Sequence, residues 1–256
     1  MMVISLPNRK LDESSPSPLY YQLMELITDV IENGQYGPEY QLPSERELAE
    51  KFGISRMTVR QATVALVNNG TLVRKRGKGT FVSPPKVEQG LLSLTSFTED
   101  MENRGMTPST RILSMKNVLP SENTARALDI NVVDKIILLE RLRMANGLPM
   151  AYERCHLSYQ LFPGLTETDI KDRSLYGILR EDFGITLTRA RQTVEATLAT
   201  AKEADLLHVK KGGPLLLFER VTLDSNDRVV EFVKSVYRAD RYKFFVEMNA
   251  QRKEDI

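Results

Sequence analysis

The sequence predicts an α+β fold in two domains, a small helical one in front and a larger one built on an antiparallel sheet behind. Residues 44–70, SERELAEKFGISRMTVRQATVALVNNG, have the spacing of two short helices joined at a glycine corner. Residues 71–82, TLVRKRGKGTFV, read as two short strands about Gly77 and Gly79. Further on, the stretch from Ala125 to Glu153 returns in outline from Ala204 to Glu231, each time as a short helix followed by a hairpin. A chain of 256 residues, 41% hydrophobic and 27% charged, has enough apolar side chains for two cores.

The front elements follow in order. A first helix is expected from Pro18, which suits the first helical position, with Ser17 as its cap. Leu19, Leu23, Leu26, Ile27, Val30 and Ile31 recur at helical spacing, and Gly34 ends the run. Ser44 and Glu47 make a capping box for a second helix, whose buried side is Leu48, Ala49 and Phe52. Gly53 turns the corner and Ile54 plugs the space between helices. Ser55 caps a third helix, with Gly70 just past its end. Val59, Ala62, Thr63 and Leu66 share the inner face of that helix, while Met57, Arg60 and Gln61 point away.

Charge then separates this region from the rest. Between Ser55 and Val87 stand Arg56, Arg60, Arg74, Lys75, Arg76, Lys78 and Lys86 without one acid, in a chain whose net charge is only +1. A cationic second helix, presenting a positive dipole end and free N–H groups, is suited to the major groove of DNA. The basic hairpin is then a wing for the adjacent minor groove or backbone. GKGT lacks the spacing of a nucleotide-binding loop and precedes no helix, so a nucleotide site is excluded. No apolar run nears the roughly 20 residues that span a bilayer, and no signal peptide is read. One cysteine excludes an internal disulfide and fits a cytoplasmic protein. Two histidines and that cysteine argue against a metal site. Cys155 and His156, adjacent on a strand, face opposite ways and form no nucleophile–base pair.

VSPPKVEQG reads as an extended linker, 83–92, between a domain at 1–82 and another at 93–250. In the second domain the echo places Ala125 on Ala204, Leu128 on Leu207 and Glu140–Arg141 on Glu219–Arg220. Two such hairpins can join one sheet about a pseudo-two-fold axis. Arg141 and Arg143 share a strand face, as a clamp for phosphate or carboxylate or as partners of an acid such as Glu153. Glu231, Val233, Ser235 and Tyr237 share a face of the returning strand.

LPSERELAEKFGISRMTVRQA followed by RGKGTFV resembles the winged helix-turn-helix of GntR-type bacterial transcription regulators, over roughly residues 17–82. That resemblance implies a palindromic double-stranded operator, a homodimer, and a DNA-reading set of Arg46, Arg56, Thr58 and Arg60. Ser44, Glu45, Gln61, Lys78 and Gly79 support it, although Glu45 can equally serve the helix dipole. GLLSLTSFTEDMENRGMTPSTRIL, ERLRMANGLPMAYE and SVYRADRYKF are similar to the effector (UTRA) domain of the HutC branch, which has a chorismate lyase-like fold, an antiparallel sheet flanked by helices. Within the branch, ISRMTVRQA, LTSFTEDM and RGMTP resemble regulators of N-acetylglucosamine use, whose effector is an amino-sugar 6-phosphate.

By that likeness no cofactor is needed. Arg141 and Arg143 hold the phosphate, assisted by Ser96, Thr98 or Thr188. Glu153 and Glu231 accept from sugar hydroxyls or the amine, and Phe97 and Tyr237 line the pocket. The segment running from the linker into SLTSFTEDM is expected to couple ligand to DNA. ITLTRARQ carries threonines where the branch has serines, and YERCHLSYQLF departs beyond Glu153. The alternatives are a regulator for another anionic metabolite, or a lyase-like enzyme carrying a DNA-binding accessory.

Overall fold

In this computed structural model residues 2–34, 36–84, 86–90, 94–171 and 173–246 are described, with the side chains of 88–90 excepted. The chain divides into two compact units between Lys86 and Val87. Pro85, positions 91–93 and the expected end of the second domain at 247–250 lie outside the described residues.

The first unit runs β1 (Met2–Val3), α1 (Leu19–Asn33), β2 (Tyr40–Gln41), α2 (Glu45–Phe52), α3 (Arg56–Asn68), β3 (Leu72–Lys75) and β4 (Gly79–Val82). Ser17 does not cap α1. Pro18 is extended, with φ −58° and ψ 145°, and is itself the capping position without a side-chain bond. Its carbonyl accepts from the Tyr21 and Gln22 amides, while the Ser17 carbonyl accepts from Gln22 Nε2 at 2.7 Å. The capping box of α2 is formed: Glu47 N donates to Ser44 Oγ at 3.2 Å and Ser44 N to Glu47 Oε2 at 2.7 Å. Gly53 adopts the left-handed conformation, φ 68°, at which a Cβ is strained, and so lets α3 leave at the corner. Ser55 Oγ accepts from Thr58 N at 3.1 Å and starts α3.

Leu23, Ile27, Leu48, Val59, Ala62 and Leu66 are fully buried together. Each large aliphatic among them contributes about 1.5–3 kcal/mol of transfer free energy, before the entropy of ordering the chain is subtracted. Ile4 and Leu6 join this core, and β1 pairs parallel with β2, giving the sheet order β1-β2-β4-β3. Nothing in the pattern of the first seven residues signals that strand.

The second unit runs β5 (Val87–Gly90), α4 (Phe97–Glu102), β6 (Pro108–Val118), α5 (Glu122–Leu128), β7 (Ile136–Ala145), β8 (Leu148–Ser158), α6 (Glu167–Ile170) and α7 (Leu175–Glu181). It continues with β9 (Leu187–Leu198), α8 (Ala201–Leu207), β10 (Pro214–Asp224), β11 (Val229–Arg238) and β12 (Tyr242–Phe245). The stretch read as linker thus includes β5, which pairs parallel with β12, because Val87 is drawn into the cluster of Phe97, Met101 and Tyr242.

The echo is realised in three dimensions. The antiparallel sheet has the order β6-β7-β8-β11-β10-β9, so β6-α5-β7-β8 and β9-α8-β10-β11 are two copies of one unit meeting at β8–β11. Ser121 caps α5 and Thr200 caps α8, and the helices end in left-handed Asp129 and His208 at φ 55° and 54°. Asn146–Gly147, with φ of 50° and 74°, closes the β7–β8 hairpin.

Candidate functional site

The first unit presents a cationic face. A groove between the start of α2, the start of α3 and the hairpin is lined by Ser44, Glu45, Arg46, Arg56 and Gly79, together with Arg74, Lys75 and Arg76 of the hairpin. Arg56 stands at the first turn of α3, which contains no acid, so its charge adds to the helix dipole. Arg60 and Gln61 are exposed on the next turn. Thr58 Oγ1 lies 2.9 Å from Ser55 Oγ and is engaged in the cap.

Glu45 is occupied within the protein: its Oε1 accepts from Arg74 Nη2 at 3.1 Å, tying α2 to the hairpin. Lys78 occupies the exposed turn, and its carbonyl accepts from Gln41 Nε2 at 3.1 Å. Gly79, at φ 112°, sits so close that a Cβ there would meet Gln41 Nε2 at 2.2 Å. Met57, on the outer side of α3, is 71% exposed.

The second unit holds a pocket on one sheet face. Register explains its composition. Arg141, Glu153, Ser235 and Phe218 lie abreast on β7, β8, β11 and β10, and Arg143 and Tyr237 belong to the next row. Cys155, Val233, Arg220 and Gln192 form the row on the other side. Ser96, which caps α4, Phe97, which begins it, and Ser174 to Tyr176 at the start of α7 add to the lining.

Arg141, Arg143 and Glu153 are 6%, 3% and 7% exposed, so two guanidinium groups are buried against one carboxylate. Arg141 Nη2 is 2.9 Å from Glu153 Oε2 and Arg143 Nε is 3.9 Å from it. The alignment is poor for hydrogen bonding: Arg141 Nε and Nη1, Arg143 Nε and Glu153 Oε2 have no hydrogen-bond partner among the described residues. Burial opposes the charge of Arg141, yet Glu153 leaves that guanidinium above its ordinary value. Burial and the Arg141 charge press Arg143 down to about 10. Arg143 is still cationic at neutral pH, donates from Nη2 to Thr98 Oγ1 at 3.0 Å and lies 4.6 Å from the Phe97 ring centroid.

Glu231 is differently placed. Tyr176 OH and Thr222 Oγ1 donate to its Oε1 at 2.5 and 2.8 Å, and Cys155 Sγ to its Oε2 at 3.3 Å. Burial, then the charge of Glu231, raises the Tyr176 hydroxyl well above the usual range. Ser96 Oγ accepts from Glu99 N at 3.2 Å as the cap of α4. Tyr237 packs edge-on to Phe218, 5.1 Å between centroids.

Thr188 is not brought to this pocket. It lies on edge strand β9 and donates to the Asp224 carbonyl at 2.9 Å. Tyr176, Gln192 and Arg220 line the pocket without having been singled out in sequence. Arg220 was within reach, since the echo sets it on Arg141. Tyr176, from a seven-residue helix with no charge signature, carries no such sign. Cys155 turns to Glu231 while His156 Nδ1 meets the Phe232 carbonyl at 3.0 Å, so the two diverge as strand neighbours do.

Among the described residues no three of His, Cys, Asp and Glu gather as a metal site, and no helix is long and apolar enough to cross a membrane. The model of the bacterial regulatory proteins of the gntR family matches residues 19–82, and that of the UTRA domain matches 103–243. The HTH-type transcriptional repressor NagR of Bacillus subtilis is 46% identical over 91% of this chain and 96% of its own. The repressor PhnF of Mycolicibacterium smegmatis is 34% identical over 93% and 96%. A crystal structure of PhnF superposes with a TM-score of 0.63 at 32% identity, covering 89% of this chain and 99% of that one. The chain belongs to the GntR family of transcriptional repressors, in the HutC branch that joins a winged helix-turn-helix to a UTRA domain.

Proposed function

We propose that the protein represses transcription as a homodimer on a palindromic operator and is released from it by an amino-sugar 6-phosphate such as N-acetylglucosamine 6-phosphate or glucosamine 6-phosphate. A two-fold operator calls for a two-fold protein. Arg46, Arg56, Thr58 and Arg60 read DNA, and Ser44, Gln61, Lys78 and Gly79 position them. Glu45 holds Arg74 rather than a base.

The observation that carries the effector reading is the buried Arg141–Arg143 pair. It faces one carboxylate and keeps N–H groups without protein partners, as a site awaiting a multivalent oxyanion would. Of the pocket's charged lining, Arg141, Arg143 and Arg220 outnumber Glu153 and Glu231. The motif likeness to regulators of N-acetylglucosamine use supplies the amino sugar. Ser96 and Thr98 then assist the phosphate, Glu153 takes ring hydroxyls, and Phe97 and Tyr237 pack on the ring. Ligand must bind one arrangement of the protein better than the other, or it shifts nothing. The segment from the linker into α4 is the proposed coupling.

Isothermal titration calorimetry tests the site. Wild type is expected to bind N-acetylglucosamine 6-phosphate, and Arg141→Ala to bind it at least tenfold more weakly, the direction set by loss of a charge-assisted contact. Equal affinity removes Arg141 from the phosphate. A thermal-shift screen in which another metabolite, such as an amino acid or a phosphonate, stabilises the protein while the sugar phosphates do not would favour a different effector.

A further inference from the structure

The pocket has a second cationic end that the phosphate reading leaves unused. Arg220 is the counterpart of Arg141 in the duplicated unit and sits on β10, three strands from β7. At about 4.8 Å per strand the two backbones are about 14 Å apart across the sheet, so their side chains approach one ligand from opposite ends. Arg220 is held in place: its Nε donates to Gln192 Oε1 at 2.7 Å. A guanidinium carries five N–H groups, so donors are left over toward the cavity.

The neighbouring carboxylate does not offset this for a cationic ligand group. Both Glu231 oxygens already accept bonds, from Tyr176 and Thr222 on one side and Cys155 on the other. A ligand ammonium arriving here would meet a fixed positive charge and an acid whose lone pairs are largely taken. A carbonyl arriving here would accept from Arg220.

Resting on the amino-sugar phosphate reading, we propose that Arg220, positioned by Gln192, determines specificity at the end of the effector remote from the phosphate. It selects the N-acylated sugar phosphate over the free amine. Arg141 and Arg143 take the phosphate common to both ligands, so they do not discriminate. Arg220 touches the group that differs.

The test is calorimetry on the full-length protein with N-acetylglucosamine 6-phosphate, glucosamine 6-phosphate and glucose 6-phosphate. Wild type is expected to prefer the acylated ligand by about tenfold or more, the scale of one hydrogen bond to a charged group. Arg220→Met should lose about ten- to a hundredfold on the acylated ligand and little or nothing on the amine, so the ratio falls toward one. Gln192→Leu, which frees Arg220 without removing it, should move the ratio the same way by less. Operator binding by each variant confirms that it is folded.

A merely structural Arg220 would weaken both ligands together and leave the ratio unchanged, and that result overturns the proposal. So does a wild type that binds both sugar phosphates without preference. If wild type binds none of the three compounds, the amino-sugar phosphate reading itself falls. If it binds the acylated ligand more tightly and Arg220→Met keeps that preference, only the role of Arg220 falls.

Discussion

Arg56 concentrates the residue-scale chemistry of the front unit. It occupies the first turn of α3, beside the free N–H groups of the helix start and on a groove that also holds Arg46 and Arg74. If it reads a base, Arg56→Ala should weaken operator binding by about 1–3 kcal/mol in fluorescence anisotropy at fixed salt. A loss that is equal on unrelated DNA would reduce it to a phosphate contact. In the rear unit, burial and then the charge of Glu231 push the Cys155 thiol well above its ordinary value. A free thiol titrates near 8.5, so the folded protein holds its proton where the unfolded chain releases it. The resulting stability is present below about pH 8.5 and declines as pH rises above it. Cys155→Ser should flatten that decline in urea titrations. Rapid modification of native Cys155 by a thiol reagent at pH 8 would contradict the burial.

At the scale of elements, legibility followed local chemistry. The capping box, the glycine corner and the α3 cap are each written in a few adjacent residues, and all three form where read. Ser44→Ala removes the acceptor for Glu47 N, and about 1 kcal/mol of thermal or denaturant stability should go with it. A variant as stable as wild type would mean that water replaces the cap. The sheet was legible through repetition: the two units superpose by sequence because both need the same helix cap, left-handed stop and hairpin. What escaped depended on distant partners. β1 exists only because β2 lies beside it, and β5 only because β12 does. Thr188 is carried over from the family likeness, but at the start of β9 it donates to the carbonyl of Asp224 at the end of β10, outside the pocket. Tyr176 reaches Glu231 from 55 positions away, and no local pattern announces a contact of that range.

Over the whole molecule, one chain joins a unit with a cationic groove, the proposed DNA reader, to a unit with a buried pocket that has more guanidinium than carboxylate. Neither charge pattern is visible in the net charge of +1, because the acids and bases of the two units nearly cancel. The proposed link between the units is thermodynamic: effector binding and operator binding must oppose one another, each weakening the other by the same factor. The most direct test is an electrophoretic mobility shift of the operator by wild type and Arg141→Ala, with and without N-acetylglucosamine 6-phosphate. Both proteins should retain the DNA without ligand, and only wild type should release it when the sugar phosphate is added. Release of both at the same ligand concentration, or of neither, would contradict control of the reader by the arginine pocket.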